Sequence, residues 1–207
     1  MLKYKVIVVG QKNVGKSSLI RRYTENKFKK SNGSFNNVAF KIKTITVTLG
    51  NLKKVDIVLN IWDFAGENKF KLLLPAYTKA ASCALLLFDL TNKSSLLDIK
   101  DWVKIVDENA PSNVIKLLVA TKCDLETKRE VNTDEAMEYC KENNYRWSDK
   151  IMEISSKTGE NVEEIFLEMA QKLAIRNLQV CETCGNALDK KLKICNLCGK
   201  EIRVRMA

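Results

Sequence analysis

Residues 10–18 read GQKNVGKSS, in which two glycines, a lysine and a serine have the spacing of a phosphate-binding loop. Gly10 and Gly15 allow the backbone to wrap so that successive N–H groups point inward at phosphate oxygens. Lys16 can reach the β- and γ-phosphates, and the Ser17 hydroxyl is a ligand for Mg²⁺. The residues expected to hold the nucleotide here are Gly10, Asn13, Val14, Gly15, Lys16, Ser17 and Ser18.

A second phosphate-facing segment is WDFAGENKF, which begins at residue 62. Asp63 ends an apolar segment and is the natural carboxylate to support Mg²⁺, while Gly66 can present its N–H to a γ-phosphate. The alternative is a capping aspartate followed by a turn glycine, which stays open at this point.

Two further polar segments follow apolar runs, TKCD at 121–124 and SSK at 155–157. The carboxylate of Asp124 can accept two hydrogen bonds from guanine N1–H and N2–H₂, a donor pair that adenine lacks. The aliphatic stem of Lys122 can lie along a purine face. Backbone N–H groups near Ser155 and Ser156 can bind the guanine O6, so these segments predict a guanine site.

Four of the seven cysteines lie close together in CETCGNALDKKLKICNLCG, near the end of the chain. Two C-x-x-C-G repeats place four thiolates around one point, which is what tetrahedral Zn²⁺ takes. The predicted ligands are Cys181, Cys184, Cys195 and Cys198. Because so few residues cannot build a core, metal binding would supply the folding energy. Disulfides and an iron–sulfur centre are the alternatives.

The elements that must position these groups alternate between strand and helix patterns. Residues 5–9, 83–89 and 114–120 are continuous apolar runs of strand length, and 40–50 with 55–62 predict a hairpin. Helical patterns separate the runs, including a single helix through SSLLDIKDWVKIVDEN. The pattern predicts an α/β fold with a doubly wound, mostly parallel six-stranded sheet over residues 1–178, and a zinc-ribbon-like tail over 179–207.

Composition narrows the class of protein. The formal net charge is +10, and residues 27–71 contain nine lysines against three acidic residues, which suggests an acidic partner surface, an anionic membrane or nucleic acid. The absence of histidine excludes imidazole as a base or metal ligand. No apolar run reaches the length that spans a bilayer, and the first residues do not resemble a secretory signal. We expect a cytoplasmic protein.

These motifs together resemble the small GTPases of the Ras superfamily, in particular the Rab group. The matching segments are GQKNVGKSS, FKIKTI, WDFAGENKF, TKCD and EISSKTGENVEEIF, in the family's order and spacing over about residues 3–175. The resemblance implies binding of GTP and GDP with Mg²⁺, GTP hydrolysis, and two switch loops that contact effectors and exchange or activating factors. It also implies that Phe28 lies against the guanine, that Thr121 replaces a tethering asparagine, and that Lys157 belongs to the base site.

The sequence departs from that family at two positions. Phe35 stands where the family has a threonine that binds Mg²⁺, and a phenyl ring cannot bind a hard cation. Glu67 replaces the glutamine that orients the attacking water. A carboxylate can still accept a hydrogen bond from that water, and Lys12 could offset its charge, so we expect catalytic roles for Glu67, Lys12 and Lys16 in slow hydrolysis.

The sequence supports three hypotheses about function. The first is a slow GTPase switch of trafficking or signalling type, and the second is a GTP/GDP-binding scaffold with negligible hydrolysis, which Phe35 and Glu67 favour. The third treats the basic tail as a nucleic-acid module, although the tail has no aromatic residue for base stacking. The chain shows no lipidation motif at either end, so we expect no lipid anchor and at most peripheral attachment to membranes, by electrostatics or through a partner.

Overall fold

The sheet is doubly wound, as the alternating pattern predicts. The computed structural model describes residues 2–28, 39–49, 53–64, 74–145 and 150–202. Six strands form the main sheet: β1 (Leu2–Val9), β2 (Ala39–Leu49), β3 (Lys53–Asp63), β4 (Cys83–Asp89), β5 (Ile115–Thr121) and β6 (Met152–Ile154). Their order is β2-β3-β1-β4-β5-β6, with β2 antiparallel to β3 and all other neighbours parallel.

Helices cover both faces of this sheet. They are α1 (Lys16–Glu25), α2 (Leu74–Thr78), α3 (Lys93–Leu97), α4 (Ile99–Asn109), α5 (Thr133–Glu142) and α6 (Val162–Asn177). One apolar core lies between the sheet and α1 with α6, where Tyr23 stacks on Phe166 at a ring-centroid distance of 3.7 Å. The second core lies beneath α2 to α5 and includes the fully buried Trp102. Because both faces are covered, every residue of β4 is buried.

The structure divides one helix that the sequence predicted as continuous. A single helix was expected through residues 94–109, whereas α3 and α4 meet at Asp98. The carboxylate of Asp98 accepts a hydrogen bond of 2.9 Å from Gln11 Nε2, which is a contact between distant parts of the chain. A local helical pattern contains no information on such a contact. The short helix α2 and the 3₁₀ turn Glu126–Lys128 were also not predicted from the sequence.

The cysteine-rich tail begins where α6 ends. The strands β7 (Leu178–Val180) and β8 (Ala187–Asp189) form an antiparallel hairpin directly after this helix. Leu178 is buried in the core that contains α1 and α6, and Val180 and Ala187 pack against that core. The hairpin is therefore attached to the large domain by apolar packing as well as by the chain. Within the described residues, no helix is both long and apolar enough to cross a bilayer.

The exit from β1 requires a glycine because the backbone passes very close to β4. Gly10 has φ +143°, and a Cβ atom there would lie 2.3 Å from the carbonyl oxygen of Leu87 and 3.2 Å from Cγ2 of Val14. A real Cβ does not approach a backbone oxygen so closely, so any side chain would push the loop at 11–15 away from the sheet.

The substitution Gly10→Ala tests this close approach. We expect the free energy of unfolding to fall by about 3 kcal/mol, since the alanine would add a clash to an unfavourable φ. Chemical denaturation followed by tryptophan fluorescence measures this. Gly159→Ala is the matched control, because Gly159 has φ +96° but nothing within 4 Å of an added Cβ. That variant should lose only about 1–2 kcal/mol, and equal losses in the two variants would contradict the argument.

Candidate functional site

The loop at residues 10–15 has the backbone shape of an anion cradle. Asn13 has φ 68° and Gly15 has φ 98°, both in the left-handed region, so the chain turns around its own N–H groups. Gly15 is the N-cap of α1, and no side chain caps that helix. No acidic residue lies in its first turn. The positive end of the helix dipole is thus open to an anion at the mouth of the loop.

Lys16 places its ammonium inside this loop. The residue is only 5% exposed, and its Nζ donates hydrogen bonds to the carbonyl oxygens of Gly10 at 2.8 Å and Gln11 at 2.7 Å. Burial lowers the pKa of Lys16 to about 8, while the charge of Asp63 acts in the opposite direction. Two neutral carbonyls do not balance a buried cation, so an anionic phosphate at this point would raise the pKa again and stabilise the protonated form.

Asp63 ends β3 next to this lysine and has the properties of a cation ligand. It is 7% exposed, and its Oδ1 atom is buried without a hydrogen-bond partner. Burial raises the pKa of Asp63, and the Ser17 hydroxyl with the charges of Lys16 and Arg21 opposes that rise. A buried carboxylate oxygen beside a serine hydroxyl is an oxygen donor set that suits Mg²⁺, so the predicted pair Ser17 and Asp63 fits this metal.

Thr121 joins the end of β5 to the phosphate cradle. Its hydroxyl lies 2.7 Å from the carbonyl oxygen of Val14 and 2.9 Å from that of Phe88, and the side chain is buried. The predicted tether is therefore present with threonine in place of asparagine. Val14 itself is buried and anchors the centre of the loop, whereas Ser18 is half-buried in the first turn of α1.

The predicted base-recognition residues meet at the ends of β5 and β6. Oδ1 of Asp124 accepts a hydrogen bond of 2.6 Å from the Ser155 hydroxyl, and Lys157 Nζ lies 3.7 Å from Oδ2. The backbone N–H of Ser155 donates to the carbonyl of Glu160 at 3.1 Å. The contact of guanine O6 with N–H groups near Ser155 and Ser156 stays a prediction, in which the N–H of Ser156 is the better candidate donor.

Lys122 is held beside the cradle by an ion pair. Its backbone has φ 64°, and its Nζ lies 2.5 Å from Oδ2 of the buried Asp89. The other oxygen of Asp89 accepts hydrogen bonds from the N–H and the hydroxyl of Thr91. The ammonium of Lys122 is thereby fixed, and the packing of its stem along the purine stays a prediction.

Arg22 is a site residue that the sequence analysis missed. It projects from α1, where Nε donates to the carbonyl of Ser156 at 2.7 Å and Nη2 donates to that of Lys157. The helix that follows the phosphate cradle therefore holds the loop at residues 155–157, which is predicted to contact the base. An arginine within an amphipathic helix gives no local signal of a contact 134 residues away.

The remaining predicted residues lie at the rim or outside the described residues. Phe28 is 41% exposed and lines an open cleft with Arg21, Glu25 and Lys27. Lys12 is exposed in the phosphate loop. The switch residues Phe35, Gly66 and Glu67 fall outside the described ranges, so their predicted roles stay predictions.

The four cysteines of the tail converge as their spacing predicts. Their sulfur atoms all lie within 4.8 Å of one another. Each pair closes a tight turn, in which the N–H of Gly185 donates to the carbonyl oxygen of Cys181 and that of Gly199 donates to the carbonyl oxygen of Cys195. Backbone N–H groups of Cys198 and Leu197 lower the pKa of the Cys195 thiol to about 6. Sulfur atoms so placed, with N–H groups that favour thiolate, fit a tetrahedral Zn²⁺ site.

Comparison with known proteins agrees with this geometry. Residues 5–175 match the Ras family. The chain is 33% identical over 174 residues to the Ras-related protein Rab-13 of Canis lupus familiaris, which covers 84% of this chain and 81% of the relative. It is 37% identical over 171 residues to the Ras-related protein Rab-1 of Theileria parva, an alignment that covers 82% of this chain and 74% of the relative. It is 35% identical over 172 residues to the GTP-binding protein ypt4 of Schizosaccharomyces pombe, which covers 83% of this chain and 72% of the relative. The chain therefore belongs to the Ras family, whose members are GTPases.

Proposed function

We propose that this protein is a guanine-nucleotide switch that binds GTP and GDP with Mg²⁺ and hydrolyses GTP slowly. The observation that carries the proposal is a buried ammonium, that of Lys16, near a buried carboxylate, that of Asp63, whose Oδ1 has no hydrogen-bond partner in the structure. A phosphate balances the first charge and a divalent cation balances the second. Of the ligands that contain both, a magnesium-bound nucleotide matches the base site at Asp124.

The nucleotide would bind across the carboxyl ends of the parallel strands. The cradle N–H groups and Lys16 would hold the β- and γ-phosphates, with Ser17 and Asp63 holding Mg²⁺. Asp124 would accept both guanine donors, and the Ser155 hydroxyl would orient that carboxylate. Phe28 and the stem of Lys122 are proposed to flank the purine ring. Thr121 and Arg22 connect the two halves of this site, so phosphate and base would be recognised by one rigid frame.

Hydrolysis would proceed by attack of water on the γ-phosphorus. A bond forms between the water oxygen and phosphorus, the bond to the β–γ bridging oxygen breaks, and GDP leaves with that oxygen. Lys16 would stabilise the charge that develops on the phosphate oxygens. Glu67 is proposed to accept a hydrogen bond from the water. It cannot donate to the phosphoryl group, so the rate would be low unless Lys12 offsets its charge.

A second candidate function, a nucleotide-binding scaffold, is supported by the sequence of the first switch loop, which contains Phe35. Phe35 offers no hydroxyl to Mg²⁺, so GTP would order that loop less than it does in relatives with threonine. A nucleotide-loaded scaffold with negligible turnover follows if Glu67 also fails to position water. Phosphate release over hours separates the scaffold from the slow switch.

A partner surface lies beside the proposed Mg²⁺ site. Phe40 and Ile42 of β2 are 44% and 61% exposed, and the Phe40 ring contacts Trp62 at a centroid distance of 4.9 Å. Trp62 in turn contacts Tyr77. Since Ala39 pairs with Asp63 in the sheet, this aromatic row adjoins the γ-phosphate end of the site. We propose that effectors and regulators bind here, in regulation of a trafficking or signalling type.

The tail is proposed to be a separate zinc ribbon from residue 179 onward. Four cysteine ligands leave no open position, so the metal would have a structural role. The ion would fix the two turns that close on Cys181 and Cys195, while β7 and β8 pack on the large domain.

Removal of the catalytic side chains tests the hydrolysis proposal. We expect Glu67→Ala and Lys12→Ala each to lower the single-turnover rate of GTP hydrolysis by about tenfold or more, because water loses its acceptor or the acid loses its counter-charge. Release of phosphate from preloaded protein measures the rate.

Lys104→Ala is the matched control, since it removes an exposed lysine on α4 without approaching the site. Its rate should equal that of the unmodified protein. Unchanged rates in both test variants would reject the catalytic roles, and no phosphate release from the unmodified protein would favour the scaffold.

Elemental analysis tests the zinc proposal. We expect one zinc per chain, and loss of that zinc in Cys184→Ser with retention in Cys140→Ala, a cysteine buried in the large domain. Amide exchange at Gly185 and Gly199 should then speed up in Cys184→Ser while β4 stays protected, because the metal holds only the tail. A chain that contains no zinc, or equal zinc in both variants, would contradict the assignment.

A further inference from the structure

The second cysteine turn carries an apolar tip that nucleotide binding does not use. Leu197 is 70% exposed, Ile194 is 60% exposed and Leu192 is 41% exposed. All three lie within six residues around the buried Cys195. No large apolar side chain in the described part of the chain is more exposed than Leu197. Several such groups held in water within one short turn indicate a binding surface.

The fold keeps these side chains pointed away from the rest of the protein. The N–H of Cys195 donates to Lys200 and that of Gly199 donates to Cys195, so the turn closes behind Leu197. The tail's own small core, which contains Cys181, Leu188 and Cys195, does not include Leu197. The opposite edge of the tail is attached to the large domain, where Lys190 donates from Nζ to Ile175 at 2.7 Å. The turn around Leu197 therefore lies at the end of the tail that is not attached to the large domain.

Exposed lysines flank the apolar residues of this turn. Between residues 191 and 200 there are three lysines and no acidic residue: Lys191, Lys193 and Lys200. All three are exposed, and the next residue, Glu201, pairs with Ile194. Apolar side chains and lysines within one turn match the two layers of an anionic bilayer surface, in which acyl chains lie beneath phosphate head groups.

We propose that the turn at residues 192–198 is a membrane-binding tip that inserts Ile194 and Leu197 into anionic lipid. The lysines would contact the head groups while the two apolar side chains enter the acyl boundary. A protein partner is less favoured because a stable interface buries about 800 Å² on each side, and one short turn offers far less. Nucleic acid is less favoured because residues 178–202 contain no aromatic side chain for stacking. The proposal goes beyond the nucleotide switch and does not depend on it.

Vesicle sedimentation with the full-length, zinc-loaded, GDP-loaded protein tests the proposal. The protein should bind vesicles of an equal mixture of phosphatidylcholine and phosphatidylserine, and bind far less to phosphatidylcholine alone. Ile194→Ser combined with Leu197→Ser should weaken binding by about tenfold or more. Lys191→Ala and Lys193→Ala should each weaken it by about fivefold.

Matched controls remove similar groups elsewhere on the surface. Leu97→Ser combined with Leu167→Ser removes two apolar side chains that are 48% and 39% exposed, and Lys141→Ala removes an exposed lysine of α5. Both should bind vesicles as the unmodified protein does. Zinc content and the thermal midpoint establish that each variant is folded. If the double variant at the tip loses zinc, the single variant Leu197→Ser takes its place.

Three results would overturn the proposal. They are an absence of binding to the mixed vesicles, equal binding to both vesicle compositions, and undiminished binding by the folded tip variant. None of them bears on GTP binding, which is measured in the same preparations.

Discussion

The site depends on two charges that the fold buries side by side. Lys16 and Asp63 are 5% and 7% exposed; the ammonium of Lys16 donates to two neutral carbonyls, and Oδ1 of Asp63 has no hydrogen-bond partner in the structure. Removing an ion from water costs several kcal/mol unless other groups compensate. The sheet order brings the two residues to the same edge, because β1 and β3 are parallel neighbours, Asp63 ends β3, and the loop after β1 leads to Lys16 at the start of α1. A magnesium-bound phosphate compensates both charges, so the free-energy cost of burying them is offset when that ligand binds.

Hydrogen bonds between residues far apart in the sequence connect the phosphate loop with the predicted base site at this edge of the sheet. The Thr121 hydroxyl ties β5 to the phosphate loop, and Arg22 ties α1 to the loop after β6. A shift of the phosphate loop must therefore move the base site as well. The tail is attached differently, through apolar packing of Leu178 on the core that contains α1 and α6. The proposed metal site and the exposed tip consist of residues that take no part in the hydrogen bonds that tie the nucleotide site together.

Local patterns predicted the elements that depend on local chemistry. The bounds of β4 match the apolar run at residues 83–89 because a strand buried on both faces requires continuous apolar residues. The cradle and the cysteine cluster were also predicted, since short spacing alone brings their groups together. The break at Asp98 and the contact of Arg22 with Ser156 were missed, because each is set by a partner more than 80 residues away. The hydrogen bond from the Ser155 N–H to the carbonyl of Glu160 was not predicted for a different reason: the two residues are close in sequence, but the bond depends on how the loop between them folds.

The central claim is that this edge of the sheet selects a guanine nucleotide. Titration calorimetry of nucleotide-free protein with GDP and with ADP, in the presence of Mg²⁺, tests it most directly. Because adenine would leave the Asp124 carboxylate unpaired, the account predicts that GDP binds about 10⁴-fold more tightly than ADP. Comparable affinities for the two nucleotides would contradict it.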